Sequence, residues 1–269
     1  MTGRPVVLKF GGELLEDPAR VKAIAKVVRQ AAARVPLVVV HGGGREIDRA
    51  LFSAGIGKQQ VDGLRITDEA TLNVVVAVLA GTINTKLVAL LNASGVAAVG
   101  LTGADAGVAP VRKAAAHITA AGARVSLGLV GEPLPTGKAP LLTRLVSAGF
   151  VPVIASVSAA KTGRLFNVNA DTLAANIAVR IGARRLIITG ATAGVLDGDG
   201  ATLPLVDAAA ASRMVKSGAA SAGMVAKLTA CRTAAKGGVG DVRIADGRVP
   251  ANLLAALMGQ ATGAWTRVK

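Results

Sequence analysis

The sequence predicts an α/β fold, with a mainly parallel sheet and helices on both faces. Three observations predict it. Short runs of branched apolar residues alternate with longer segments of helical spacing along the chain. Two of those runs, Val6-Val7-Leu8-Lys9-Phe10 and Leu37-Val38-Val39-Val40-His41, end in glycine clusters, Gly11-Gly12 and Gly42-Gly43-Gly44. The chain has 269 residues, enough for one large domain or two small lobes with a sizeable core.

The elements follow in order. Residues 6–10 read as the first strand, and 18–33 as a helix with Val21, Ile24, Val27 and Val28 on one face. Residues 37–40 are the second strand, and 45–54 a helix stopped by Gly55. Residues 68–92 read as one or two long helices broken near Gly81, and 96–101 as a strand. The Gly-, Pro- and Ala-rich stretch 105–135 lacks helical periodicity, and short strands at 108–112 and 124–129 are expected to form hairpins. Residues 141–148 read as a helix, 151–155 as a strand, 163–169 as a loop and 170–181 as a helix. A strand at 185–189 runs into a glycine-rich turn region at 190–200. Helices at 206–216 and 224–235 and strands at 242–245 and 264–268 complete the sheet. Ser, Ala, Lys and Gly cluster at 158–166, so a single domain, 1–269, is divided there into lobes 1–165 and 166–269.

Composition narrows the function classes. Apolar residues make up 52% and aromatics only 2%, so aliphatic packing carries the core. The net charge of +15 favours anionic partners, but the 31 basic residues are scattered without a dense block. With no Tyr and few other aromatics to stack on bases, nucleic acid is not an expected partner. The apolar stretches 71–85 and 87–104 contain Asn, Thr, Ser and Gly and read as packed helix and strand rather than a bilayer span. Met1 is followed almost directly by a strand, with no charged leader, and Cys231 is the only cysteine; a cytoplasmic location is expected. Two histidines and one cysteine make a Ser-His-Asp triad or a zinc site unpromising, and no residue is assigned to a metal.

Neither glycine cluster is a Walker P-loop, and no G-x-G-x-x-G follows the first strand. One such cluster would pass for a tight turn. Two on neighbouring strands, one carrying Lys9, point to an anion held by backbone N–H groups. Lys9 can be read as a snorkelling side chain, but a charge amid Val, Leu, Phe and Gly is costly without a partner. Arg65 either pairs with Asp62 or Asp68 or clamps a substrate carboxylate. In Asn167-Val168-Asn169-Ala170-Asp171 one side chain caps the following helix, and Asp171 either suits the helix N-terminus or orients lysines. Lys227 by itself reads as an exposed lysine; His41 as a side chain that holds its loop by a hydrogen bond; His117 as a surface residue.

Five pieces occur in order across nearly the whole chain: Lys9-Phe10-Gly11-Gly12, His41-Gly42-Gly43-Gly44, Gly63-Leu64-Arg65-Ile66-Thr67-Asp68, Asn167-Val168-Asn169-Ala170-Asp171 and Gly223-Met224-x-x-Lys227. Together they resemble the amino acid kinase family, and within it the acetylglutamate kinase branch. Gly128-Leu129-Val130-Gly131-Glu132 is similar to the same branch. The resemblance implies an open αβα sandwich with a mainly parallel central sheet, like that of carbamate kinase. It implies an N-terminal lobe that binds the amino acid and a C-terminal lobe that binds ATP with Mg²⁺. The implied reaction is phosphorylation of the side-chain carboxylate of N-acetyl-L-glutamate, the second step of arginine biosynthesis.

The resemblance also assigns roles. Lys9 and Lys227 flank the moving phosphoryl group and Asp171 holds both ammonium groups. Gly43, Gly44, Arg65 and Asn167 bind the substrate; Gly11, Gly12, Gly190, Ala191, Gly194 and Met224 bind the nucleotide. A carboxylate with a pKa of roughly 4 needs no general base, which suits a chain with almost no histidine. One departure stands out: Gly190-Ala191-Thr192-Ala193-Gly194 has Ala191 where the family often carries aspartate, so a nucleotide contact is lost or passes to the backbone. The chain also starts almost at the first strand, without the extra N-terminal helix of arginine-inhibited members; a homodimer insensitive to arginine is expected. Two other readings compete. A carrier-protein-linked aminoadipate or glutamate kinase of lysine biosynthesis would suit the positive charge. A non-catalytic sensor or basic binding protein on the same fold would suit the lost aspartate.

Overall fold

A strand of Val, Val, Leu, Lys and Phe has no polar face, so it belongs in the middle of a sheet covered on both sides. The computed structural model, which describes residues 3–119, 122–216, 222–261 and 263–269, places it there. In chain order the elements are β1 (Val6–Phe10), α1 (Pro18–Ala32), β2 (Leu37–His41), α2 (Gly44–Ser53), β3 (Gln60–Val61) and β4 (Leu64–Arg65). There follow α3 (Glu69–Val76), a wider π-type turn (Ala77–Ile83), α4 (Asn84–Ala93), β5 (Ala98–Thr102), β6 (Val111–Lys113), β7 (His117–Ile118), β8 (Arg124–Val125) and β9 (Val130–Pro133). Next come α5 (Pro140–Ser147), β10 (Val151–Ala155), β11 (Val157–Ala159), β12 (Leu165–Val168), α6 (Ala170–Arg180) and β13 (Arg185–Gly190). The last are β14 (Leu205–Val206), α7 (Ala208–Lys216), α8 (Ala222–Lys236), β15 (Asp241–Asp246), α9 (Pro250–Met258) and β16 (Trp265–Val268).

The main sheet runs β14-β16-β15-β13-β1-β2-β10-β5, parallel throughout except between β15 and β16. Its two faces follow the period of two. Val7, Val38 and Val40 pack with Leu173 and Ile177 of α6, Leu142 of α5 and Leu228 of α8. Val6, Leu8, Leu37 and Val39 pack with Ile24 and Val28 of α1, Leu87 and Leu91 of α4 and Leu253 of α9. The fold is therefore the αβα sandwich that the pattern predicts. In β1, Lys9 stands opposite Val40 of β2 and Ile188 of β13. That register brings the C-terminal ends of three strands to one edge, where ligands bind in open α/β sheets. A second sheet, β11-β12-β9-β6, stands beside it.

Several elements differ from the sequence expectation. Gly81 does not break the helix: backbone bonding widens through Ala77–Ile83 and the helix continues from Glu69 to Ala93. A lone glycine costs only about 1 kcal/mol, and Leu79 and Ile83 are buried in the widened turn. This helix is long and apolar enough to cross a membrane by length and composition, with mean hydropathy 2.0 over its best window. Its row Leu72, Val75, Leu79, Ile83, Leu87 and Leu91 is buried in the protein. Residues 163–169 are not a plain loop, because Leu165–Val168 pairs with both β11 and β9. In the hairpin region only Arg124–Val125 pairs with His117–Ile118, while Val130–Pro133 joins the second sheet; residues 120 and 121 lie outside the described residues. The helix Pro250–Met258, which begins with proline and ends at Gly259 in the left-handed region, is absent from the sequence reading.

His41 holds its loop from inside. It is fully buried, bonds Gly42 O through Nδ1 at 3.1 Å, and accepts at Nε2 from Asn84 Nδ2 at 3.0 Å. The Asn84 amide also donates to Val153 O at 2.9 Å, so β2, β10 and α4 are tied through one amide. Burial pulls the His41 pKa down to about 4, only partly offset by the bond to Gly42. Between pH 6.5 and about 4 the unfolded chain binds a proton that the folded chain refuses. Stability from this group is therefore complete above pH 6.5 and is lost as pH falls towards 4, by on the order of 3 kcal/mol. Urea unfolding across this range is expected to show that decline, and His41→Gln to flatten it; an unchanged slope in the variant would contradict the assignment.

Candidate active site

The site grows from the end of β1. Lys9 is nearly buried, and its ammonium meets Asp171 Oδ1 at 2.7 Å. Asp171 is in place because Asn169 caps α6, accepting from the N–H groups of Asp171 and Thr172 at 2.9 and 3.0 Å. From the other side, the buried Thr189 hydroxyl donates to Lys9 O at 2.7 Å and fixes the β1–β13 edge.

The glycine clusters touch each other. A Cβ on Gly12 would lie 2.9 Å from Gly44 N and 3.0 Å from Gly43 Cα. One on Gly43 would lie 2.2 Å from Ile83 Cδ1 and 2.9 Å from Leu79 Cδ2. The π-type turn therefore sets the floor under the second loop, and only hydrogen at these positions lets the backbones close. A Cβ on Gly11 would strike the Glu13 carboxylate at 2.3 Å.

Two adjoining hollows open on these loops. The inner one, about 270 Å³, is lined by Lys9, Gly11, Gly12, Gly42, Gly43, Gly44, Arg65, Ser156, Asn167 and Asp171, with apolar Ile47, Leu64, Leu79, Leu127 and Val130. The outer one, about 610 Å³, is lined by Gly12, Gly44, Arg45, Asp48, Lys58, Arg65, Gly190, Ala191, Thr192, Met224 and Lys227. Gly12, Glu13, Gly44, Gly63 and Arg65 belong to both, so the hollows form one groove. Gly194 lines neither; it packs beneath Thr266.

Lys227 comes from α8, and its Cε would lie 3.2 Å from a Cβ on Gly190. One turn further on, Cys231 is fully buried. Burial pushes its thiol far above the ordinary range; Asp171 pushes the same way, while Lys227 and Lys9 pull down. Lys227 lines the outer hollow and Lys9 and Asp171 the inner one, so the strand register and α8 bring the three to one groove from distant parts of the chain.

Arg65 pairs with neither Asp62 nor Asp68. Its Nη2 bonds Asp48 and, at 3.3 Å, Gly44 O, and its Nη1 is buried with no partner among the described residues. Asp48 is held by Arg65 and by Lys58 at 2.9 Å. Burial raises the Asp48 pKa, but those two cations outweigh it and hold the carboxyl below its usual range. Asp62 instead takes His117 at 2.8 Å. Asn167 Nδ2 donates to Thr67 Oγ1 at 3.2 Å, and Thr67 O accepts from Leu129 N at 2.6 Å. Asp48, Lys58 and Thr67 were not legible as site residues: helix spacing puts Asp48 on α2, but nothing local aims it at Arg65.

This geometry offers backbone donors, two lysines and an arginine to anionic oxygens. The family description "Amino acid kinase family" matches residues 4–246. This chain belongs to the amino acid kinase family. Among curated amino acid kinases, it is 40% identical to acetylglutamate kinase of Thermosynechococcus vestitus over 94% of this chain and 84% of that one. It is 39% identical to acetylglutamate kinase of Nostoc punctiforme over 94% and 83%, and 36% identical to that of Novosphingobium aromaticivorans over 99% and 91%. The fold is shared with N-acetylglutamate synthase from Neisseria gonorrhoeae, at TM-score 0.82 and 23% identity, over 98% of this chain and 59% of that chain. It is shared also with a Giardia carbamate kinase, at TM-score 0.68 and 12% identity, over 100% and 99%.

The contact between loops in this amino acid kinase is open to a direct test. Gly12→Ala is expected to destabilise the protein by about 1–3 kcal/mol through overpacking. Chemical unfolding measures this, and the neighbouring Gly44→Ala, which meets nothing within 4 Å, is expected to cost less.

Proposed function

We propose that this chain is an acetylglutamate kinase, transferring the γ-phosphoryl group of ATP to the side-chain carboxylate of N-acetyl-L-glutamate in arginine biosynthesis. The observation that carries the reading is one groove bordered by Lys9, Asp171 and Lys227 and walled by touching glycine loops. The curated relatives, named acetylglutamate kinase at 36–40% identity, support the substrate.

The inner hollow suits a small acylated amino acid. Arg65 Nη1 lacks a partner and is free to take the α-carboxylate, Asn167 supplies an amide, and Leu79, Leu127 and Val130 offer an apolar surface for the acetyl methyl. The outer hollow, with Arg45, Lys58 and Lys227 on its wall, suits the polyphosphate. Residues 1–165 then supply most of the acid side, and the segments around Gly190 and Met224 the nucleotide side. Ala191 brings no carboxylate, leaving backbone groups of the Gly190–Thr192 turn to meet the nucleotide. Gly11, grouped with the nucleotide side by resemblance, borders the inner hollow with the substrate residues.

Among the described residues no cluster of three or more His, Cys, Asp or Glu forms a metal cage. Mg²⁺ fits as the companion of ATP, where it would offset phosphate charge. The chain's own residues do the rest. The acceptor carboxylate is already ionised and needs no base, and His41 is committed to Gly42 and Asn84. An acceptor oxygen forms the new P–O bond as the β–γ bridge breaks, giving an acyl phosphate and ADP. Lys9 and Lys227 stabilise the spreading charge from opposite sides, Asp171 holds the Lys9 ammonium in place, and the glycine N–H groups donate to phosphoryl oxygens.

We infer a homodimer. Asn73, Ala77, Gly81, Thr85, Ala89 and Ala93 form an exposed small-residue row along the long helix, and β5 beside it is an unpaired sheet edge. Light scattering is expected to give twice the 26.7 kDa of one chain; a monomer would contradict this. A single buried thiol and use of ATP suit the cytoplasm.

Hydroxylamine trapping is expected to detect acyl phosphate with N-acetyl-L-glutamate and ATP. Lys9→Ala and Lys227→Ala are each expected to lower kcat by about 10²–10³-fold, and Arg65→Ala to act mainly on KM for the acid. Turnover untouched by either lysine variant would overturn the mechanism.

A further inference from the structure

We propose a second anion site, specific for phosphate-type oxyanions, at the end of α6 remote from Asp171. α6 has 11 residues, so its ends are about 16 Å apart. Its last residue, Arg180, is 8% exposed. The guanidinium donates from Nε to Val108 O at 3.1 Å and from Nη1 to Thr136 O at 2.5 Å. Both acceptors are neutral carbonyls. All sixteen Asp and Glu side chains lie among the described residues, and none forms an ion pair with Arg180. A buried cation without a counter-charge is costly. Elsewhere in this protein the buried cations Lys9 and Arg243 each meet an aspartate.

Arg180 opens on a hollow of about 640 Å³ whose wall includes Lys138, Arg144 and Thr143 and no acidic residue. Neither Lys138 nor Arg144 has an ion-pair partner among the described residues. Gly137, in the left-handed region at φ 117, brings the loop so close that a Cβ there would stand 2.6 Å from Arg180 Nη1. The first turn of α5 borders the same hollow through Pro140 and Thr143. The carbonyl of Gly182, which borders the hollow, already accepts from Arg4 Nε at 2.7 Å. Three cations thus converge on one space whose wall carries no carboxylate. That chemistry recognises a doubly charged tetrahedral oxyanion, either inorganic phosphate or the phosphate arm of a small metabolite.

The test is calorimetric titration of the whole protein with inorganic phosphate and, separately, with glycerol phosphate. A saturating non-hydrolysable ATP analogue occupies the kinase groove, and KCl at matched ionic strength is the control. Saturable phosphate binding by the wild type is expected, weakened at least tenfold in the double variant Lys138→Ala, Arg144→Ala. Kinase turnover of that variant in phosphate-free buffer is expected to stay within twofold of wild type, because neither residue borders the groove. Both side chains are exposed, so the variant tests the site even if Arg180→Ala does not fold. Tighter binding of glycerol phosphate than of inorganic phosphate would assign the site to a phosphorylated metabolite, and the reverse to free phosphate. Equal titrations for wild type and double variant, or an effect reproduced by KCl, would overturn the proposal.

Discussion

A lysine near the C-terminal end of a buried parallel strand is the constraint from which the rest follows. Lys9 cannot reach bulk water, and its charge is tolerable only because Asp171 meets it at 2.7 Å. Breaking one half of such a pair leaves a stranded charge, at a cost of about 3–5 kcal/mol. The pair therefore couples the end of β1 to the start of α6, and any arrangement of the sheet that separated them would be penalised. The Asn169 cap and the Thr189 bond to Lys9 O hold the two partners from either side. The position that is costly for folding is also the one that puts a cation at the strand ends, on the wall of the inner hollow.

Around that pair the glycines act by absence. Gly12 is needed because the backbone of Gly43 and Gly44 occupies the space next to it, and Gly43 because the side chains of Ile83 and Leu79 do. The widened turn in the long helix fits the same logic: it carries Leu79 and Ile83 to the spot where a side chain on Gly43 would stand. Packing on one side and backbone donors on the other are thus two faces of one loop. Arg65 adds a charged wall, with Nη2 tied to Asp48 and Gly44 and Nη1 without a partner among the described residues.

Much of the fold was legible because it is local. Two five-residue apolar runs, the helical spacing of Val21, Ile24, Val27 and Val28, and Gly55 after α2 all read directly from neighbours in the chain. The candidate site was legible in parts: Lys9 stood out as a charge in an apolar run, and Asn169 as a cap. Arg65 was visible, but its partner was misplaced, since Asp62 and Asp68 are near in sequence whereas Asp48 is near only in space. Residues 165–168 look like a loop because polar and apolar residues mix there; their strand exists only because β9 and β11 offer hydrogen bonds on both sides.

By itself, then, the amino-acid order determined a parallel α/β architecture, glycine loops at two strand ends and the need for a partner to the Lys9 charge. Those properties rest on side-chain size, backbone freedom and the cost of an unpaired charge, which are set within a few residues. Only the tertiary structure decided that Asp171 answers Lys9, that Asp48 takes Arg65, and that Lys227 joins them. It also decided that Arg180 stays buried with no acid beside it. These are matters of which surfaces meet when the sheet closes, and strand register and helix packing, acting between distant segments, determine that.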